Sequence, residues 1–222
     1  DYARGLAASY VGLARRLRDK RDLSGAEKYY RLYLDISVKV SQSNPADERL
    51  RYNLGLAYNM VADILHEQNR NDDALIEARK ALAVSEPLVK GNPNNTQAQI
   101  LVSFDYQRIA ELSAASGNVA EAESNFDTAL KIRERVAAAN PKDQQASGSL
   151  ARIYLALGQF LWSTGRRGEG LAYLGKALAV REANAALNPS NPAALEALTD
   201  YTSTLARKKL EIKQYREASA LY

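Results

Sequence analysis

The sequence contains no cysteine and one histidine, His66. The first absence excludes disulfides and thiolate metal sites and leaves the compartment open, with the cytoplasm only slightly favoured. The second leaves His66, in ILHEQNR, without another imidazole to build a zinc site. As a general base it would need an orienting partner, and Glu67 is merely adjacent on a helix and points elsewhere. A helix-surface histidine is the ordinary reading, so no metal, no cofactor and no catalytic residue are assigned. Proline and glycine are sparse, at six and twelve in 222 residues, while alanine and leucine are plentiful, which favours helix over sheet. No apolar run approaches the roughly 18 residues that cross a bilayer, and no signal peptide is present. The chain opens at Asp1 rather than Met, which is expected of a fragment or a processed product and leaves room for anchors or other domains outside it.

What is present is a globular composition, 46% hydrophobic and 25% charged. The net charge of +4 is too small to imply a nucleic-acid partner. A fixed period dominates the chain. Asn-Pro occurs at Asn44-Pro45, Asn92-Pro93, Asn140-Pro141 and Asn188-Pro189, 48 residues apart each time. The same shift aligns Ala14, Ala62, Ala110, Gly158 and Ala206, and again Ala26, Ala74, Ala122, Gly170 and Ala218. Tyr10, Tyr58, Tyr106 and Tyr154 form a third column that Thr202 breaks. Repeats of this length signal stacked modules.

Within one copy the apolar spacing is helical. Leu101, Phe104, Ile109 and Leu112 mix three- and four-residue steps until Gly117; Val119, Ala122, Phe126, Ala129, Leu130, Ile132 and Val136 resume the pattern. Each copy is thus expected to be two antiparallel helices. The small columns lie where their backbones approach, and the tyrosines pack as amphipathic plates with the hydroxyl at a polar edge. The turn carries Gly117 and Gly165 in two copies and Arg21, Asn69 and Lys213 in the others. Asn-Pro closes the second helix because proline cannot continue it. Asp47, Asn95, Asp143 and Asn191 follow as N-caps of the next helix, with Pro192 at a favoured first helical position. The expected organisation is one array over 1–222, with repeats at about 1–45, 46–93, 94–141, 142–189 and 190–222, the last incomplete.

This pattern resembles the tetratricopeptide repeat. Tyr106, Ile109, Ala110, Gly117, Ala122, Phe126 and Ala129 carry the resemblance in the third copy. Tyr154, Leu157, Gly158, Gly165, Gly170, Leu174 and Ala177 carry it in the fourth. Tyr33 and Thr202 are departures. The resemblance implies an all-α, right-handed solenoid of stacked helix pairs. The usual period is 34 residues; the extra residues fall around the Asn-Pro joint and lengthen each hairpin by about two turns, so helices should approach 20 residues. Extended arrays of this kind resemble those C-terminal to bacterial serine/threonine kinases.

Local motifs add little. GLAYLGKA at Gly170–Ala177 matches the start of a phosphate loop, but Ala177 stands where Ser or Thr must ligate magnesium and no strand precedes it. Asn94-Asn95-Thr96 fits a glycosylation sequon, yet Asn95 already has a use as a cap. The basic clusters Ala14–Asp22 and Leu205–Lys213 read as solvated helix faces.

The resemblance places the partner surface on an inner face lined by first helices. Carried by the register, that face holds Val11, Arg15 and Arg18; Asn59, Asp63 and His66; Gln107, Glu111 and Ala114; Leu155, Gln159 and Trp162; and Ser203, Arg207 and Leu210. Trp162 is either buried core or a recognition anchor. The places of the lysine/asparagine clamp for a peptide carboxylate fall on Val11, Arg15, Met60, Phe104 and Arg108, which disfavours that peptide class. The function expected is a non-catalytic protein- or peptide-binding scaffold within a larger signalling protein. Nucleic-acid binding and small-ligand sensing are the alternatives. Neither end carries a polar capping helix, which allows end-to-end self-association or continuation into further repeats.

Overall fold

The structure, a computed structural model, describes residues 2–213, 217–218 and 220–221. Among the described residues it is all-α, with nine helices and no strand: α1 (Tyr2–Asp19), α2 (Leu23–Ser43), α3 (Glu48–Glu67), α4 (Asn71–Gly91), α5 (Thr96–Ala115), α6 (Val119–Ala139), α7 (Gln144–Ser163), α8 (Arg167–Leu187) and α9 (Pro192–Glu211). From α2 onward each helix is 20 or 21 residues long, about 30 Å at 1.5 Å per residue. That is the length expected from the 48-residue period. Within residues 1–125 the helices α1 to α5 pack in chain order, and within residues 126–222 α7, α8 and α9 do the same, as the antiparallel hairpins of a helical solenoid.

The ends of these helices are set by the residues that repeat. Asp47 accepts hydrogen bonds from the backbone of Arg49 and Leu50, Asn95 from Ala98, Asp143 from Gln145 and Ala146, and Asn191 from Ala193. Each satisfies helix donors that would otherwise lack a partner, worth about 1 kcal/mol. At the opposite end of each hairpin the chain reverses through one left-handed residue. Gly117 and Gly165 adopt φ of 82° and 86°, and Arg21, Asn69 and Lys213 adopt 63°, 61° and 63°. The turn geometry is therefore common to all five copies even where glycine is not.

Both small columns are buried throughout. In unit 1, residues 1–125, the core gathers Ala14, Ala26, Tyr30, Ala57, Val61, Ala62, Ile64, Leu65, Ala74, Ala78, Ile109 and Leu112. In unit 2, residues 126–222, it gathers Ala151, Leu174, Ala177, Leu178, Tyr201 and Leu205, and Phe126 meets Phe160 with ring centroids 5.0 Å apart. The period extends to contacts. Tyr106 donates its hydroxyl to Glu86 at 2.6 Å, and Tyr154, 48 residues on, donates to Glu134 at 3.0 Å. Both phenols are pushed up to about 12, by burial first and by the carboxylate second. Gly170–Ala177 lies inside α8, with both end residues buried, so no phosphate cradle forms there.

Candidate functional site

In unit 1 the first helices α1, α3 and α5 bring charged side chains into a ladder. Arg18 of α1 donates its Nε to Glu67 Oε1 of α3 at 2.7 Å. Asp63, one turn before Glu67, contacts Arg108 Nη2 of α5 at 2.6 Å. Arg108 also meets Glu111 at 2.8 Å, and Glu111 accepts from Gln107 at 2.6 Å. These side chains are partly buried. Burial holds the Asp63 carboxyl above its usual range even though Arg108 and Arg18 pull it down. An array of both signs forms, pinned across three helices.

Expected face residues take different places. Asp63, Gln107 and Glu111 belong to the ladder. Asn59 is partly buried and turns to Asp105, donating Nδ2 to Oδ1 at 2.5 Å. His66 is also partly buried, with Nδ1 2.7 Å from Asn71 Oδ1. Arg15 is exposed on α1. In unit 2, Leu155 packs against the core, and Gln159 and Arg207 are exposed. Trp162 is only 9% exposed. Lys208 Nζ lies 4.8 Å and Arg167 Cζ 5.5 Å from its ring centroid, within cation–π range.

Two groups escaped the sequence reading. Glu67 and Arg108 entered it only as a neighbour of His66 and as a clamp position. Their signal was the recurrence of opposite charges close to one repeat apart: Arg18 with Glu67, Asp63 with Arg108, and Arg79 with Glu121, the last pair at 2.7 Å. The second is Asp105, wholly buried on α5. It accepts from Asn59 and from Ser85 Oγ of α4. Burial pushes its carboxyl up to about 7, with both hydrogen bonds opposing. The same register position holds Ser9, Ala57, Ile153 and Tyr201 elsewhere, so a carboxylate where no other copy is charged was the available clue.

An open cleft of about 640 Å³ lies at the Asn-Pro end of α1, α2 and α3, walled by Tyr33, Ile36, Val40 and Leu50 with Arg49 and Asn53 at its edge. Tyr33 replaces the alanine that recurs as Ala81, Ala129 and Ala177, and Asn53 stands where Leu101 fills the next repeat. Among the described residues no group of three or more His, Asp or Glu is placed to hold a metal ion, and no helix is long and apolar enough to cross a membrane.

Residues 150–184 match a family model described as Tetratricopeptide repeat. The repeats are of the tetratricopeptide type. Solved structures of this fold align along nearly the whole chain. BtubC (BKLC) from P. vanneervenii is 19% identical, with a TM-score of 0.68 over 97% of this chain and 78% of that one. A putative kinesin light chain with TPR-like repeats from Podosopora anserina is 16% identical, with a TM-score of 0.59 over 100% and 92%. A Rap protein complexed with Competence and Sporulation Factor is 17% identical, with a TM-score of 0.52 over 100% of this chain and 63% of that one. At such identities the likeness is one of fold. No curated protein matches the chain in sequence.

Proposed function

We propose that this tetratricopeptide-repeat chain is a non-catalytic scaffold for a protein or peptide partner, which lies across the side chains of its first helices. The observation that carries this reading is the ladder of Arg18, Glu67, Asp63, Arg108 and Glu111, partly exposed charges held at fixed spacing on a helical frame. Groups preorganised in this way lose little freedom on binding, which favours recognition. His66 faces the side-chain amide of Asn71. The Rap neighbour, solved with the Competence and Sporulation Factor, lends the fold a precedent for capturing such a factor. In this reading the chain is a regulatory part of a larger signalling protein, as in the extended arrays it resembles beside bacterial kinases.

Panning a random-peptide display library on the chain tests the proposal. Selected peptides should lose about tenfold or more in affinity on Arg108→Glu or Asp63→Lys, the scale of a central interface contact. Failure to enrich any peptide over an unrelated helical protein, or enrichment indifferent to both substitutions, contradicts it. The cleft beside Tyr33 favours a second reading, a small-ligand sensor, because its volume falls in the range of ligand pockets. A thermal-shift screen of metabolites repeated on Tyr33→Ala checks that reading; a hit whose shift survives the substitution counts against it.

A further inference from the structure

Arg181 in unit 2 is a half-buried cation that makes no ion pair among the described residues. It reaches from α8 to both neighbouring helices. Its Nη2 donates to the Gly148 carbonyl of α7 at 3.4 Å and to the Tyr201 hydroxyl of α9 at 3.3 Å. The guanidinium lies over the Tyr201 ring, with Cζ 4.8 Å from the centroid. Nε is shut off from solvent without an acceptor, and Nη1 makes no hydrogen bond. The register accounts for the missing counter-ion. Second helices hold Ser37, Ser85, Arg133 and Arg181 at this position. Ser85 donates to the carboxyl of Asp105, 20 residues on, and the same step from Arg181 ends on the neutral phenol of Tyr201.

A second cation stands beside it. Arg152, which is exposed, lies one turn beyond Gly148 on the same face of α7. Partial burial first, and the charge of Arg181 second, hold its guanidinium below the usual range, with Tyr201 opposing. Asn184, one turn after Arg181 on α8, stands where the other second helices have Val40, Leu88 and Val136. Its Oδ1 accepts from Ser147 Oγ of α7 at 2.9 Å, which leaves its Nδ2 to donate. Tyr201 accepts from Arg181 and keeps its own hydroxyl proton to donate. Two guanidiniums, a phenol and an amide thus gather donors between α7, α8 and α9.

We propose that this cluster binds a phosphoryl group, held by Arg152 and Arg181, with the Tyr201 hydroxyl and the Asn184 amide as further donors. A single carboxylate would neutralise one guanidinium and leave the other opposed. A phosphoryl group carries about −1.5 to −2 at neutral pH and offers three acceptor oxygens. The arginine fork matches those oxygens in pairs. Free phosphate and a phosphorylated side chain share this chemistry, and the test separates them. The site shares no residue with the ladder of unit 1, and the proposal stands apart from the scaffold reading.

Isothermal titration of the whole chain tests the proposal with inorganic phosphate, a phosphoserine peptide, and the serine and glutamate versions of that peptide. Phosphate should bind, and Arg152→Gln or Arg181→Gln should weaken it about tenfold. Arg152 is exposed, so its variant keeps the proposal testable if loss of Arg181 disturbs the fold; circular dichroism checks both. Lys20→Gln, the same change of charge on an exposed turn of unit 1, should alter nothing. A phosphoserine peptide that binds about tenfold or more tighter than phosphate assigns the group to a protein partner; a smaller gain assigns it to a free phosphate. Absence of phosphate and phosphoserine binding, an equal loss from Lys20→Gln, or a glutamate peptide as tight as the phosphoserine one overturns the assignment. None of these substitutions touches the ladder, so such a failure leaves the library selection and the scaffold reading to be judged separately.

Discussion

Gly158 and Gly170 approach backbone to backbone. A Cβ on Gly158 would lie 2.9 Å from the Gly170 carbonyl oxygen, and a Cβ on Gly170 would lie 2.8 Å from the Gly158 carbonyl oxygen. The other copies hold alanine in both columns, so the fourth hairpin is closed more tightly and needs glycine on each side. Gly158→Ala and Gly170→Ala should each destabilise the fold by about 1–3 kcal/mol, since the obstacle is backbone and cannot rotate away. Gly175→Ala, inside α8 with nothing within 4 Å of its Cβ position, should stabilise by about 0.5–1 kcal/mol. Urea unfolding of the three variants checks the contrast; similar midpoints for all three would refute it.

Asp105 gives the fold a pH dependence of defined sign. Its folded carboxyl titrates at about 7, against about 3.9 when unfolded, so the folded state binds the proton more tightly. This group's contribution is most favourable below about pH 4 and is lost progressively as pH rises to about 7. Glu121 and Glu169, held low by Arg79 and Arg166, act in the opposite direction and mask the effect in the wild type alone. Asp105→Asn isolates it. The amide can still accept from Asn59 and can donate to Ser85, whose hydroxyl also reaches the Leu82 carbonyl at 3.3 Å. Relative to wild type the variant should gain roughly 2 kcal/mol or more between pH 5 and pH 8. Parallel stability curves would contradict this.

Arg108 bridges Asp63 and Glu111, so its loss strands a carboxylate that burial already penalises. Arg108→Met should cost about 1–3 kcal/mol, and Arg108→Met with Asp63→Leu should recover much of that loss. A double-mutant cycle in urea measures the coupling; strictly additive costs would show that the ion pair contributes nothing.

Arg21 occupies the left-handed turn position that Gly117 and Gly165 occupy in later copies. A non-glycine residue there costs about 1–2 kcal/mol. Arg21→Gly should therefore raise stability by up to about 1 kcal/mol, and Gly117→Ala should lower it by a similar amount. Thermal melts of the two variants should move in opposite directions.

The frame was legible because it depends on residues that recur. The alanine columns, the Asp and Asn caps, the Asn-Pro stops and the helix lengths all follow from one period. The tyrosine column even announced a polar edge, which Glu86 and Glu134 supply. The candidate site was less legible because register gives a position on a helix and not a side chain's partner. Asn59 and Asp63 share a face in the register. Yet Asn59 goes inward to Asp105 and Asp63 goes across to Arg108, a choice made by neighbours about a repeat away. Trp162 kept two readings open in the sequence, and its cover comes from Lys208 and Arg167, which lie on two other helices.

Hydrogen–deuterium exchange of the chain with a library-selected peptide is the most direct test of the central claim, that partners are recognised by first-helix side chains. Added protection should map to the α3 and α5 segments bearing Asp63, Glu67, Arg108 and Glu111 and leave α2 and α4 unchanged. Protection confined to second helices, or absent while the peptide is bound, would contradict the account.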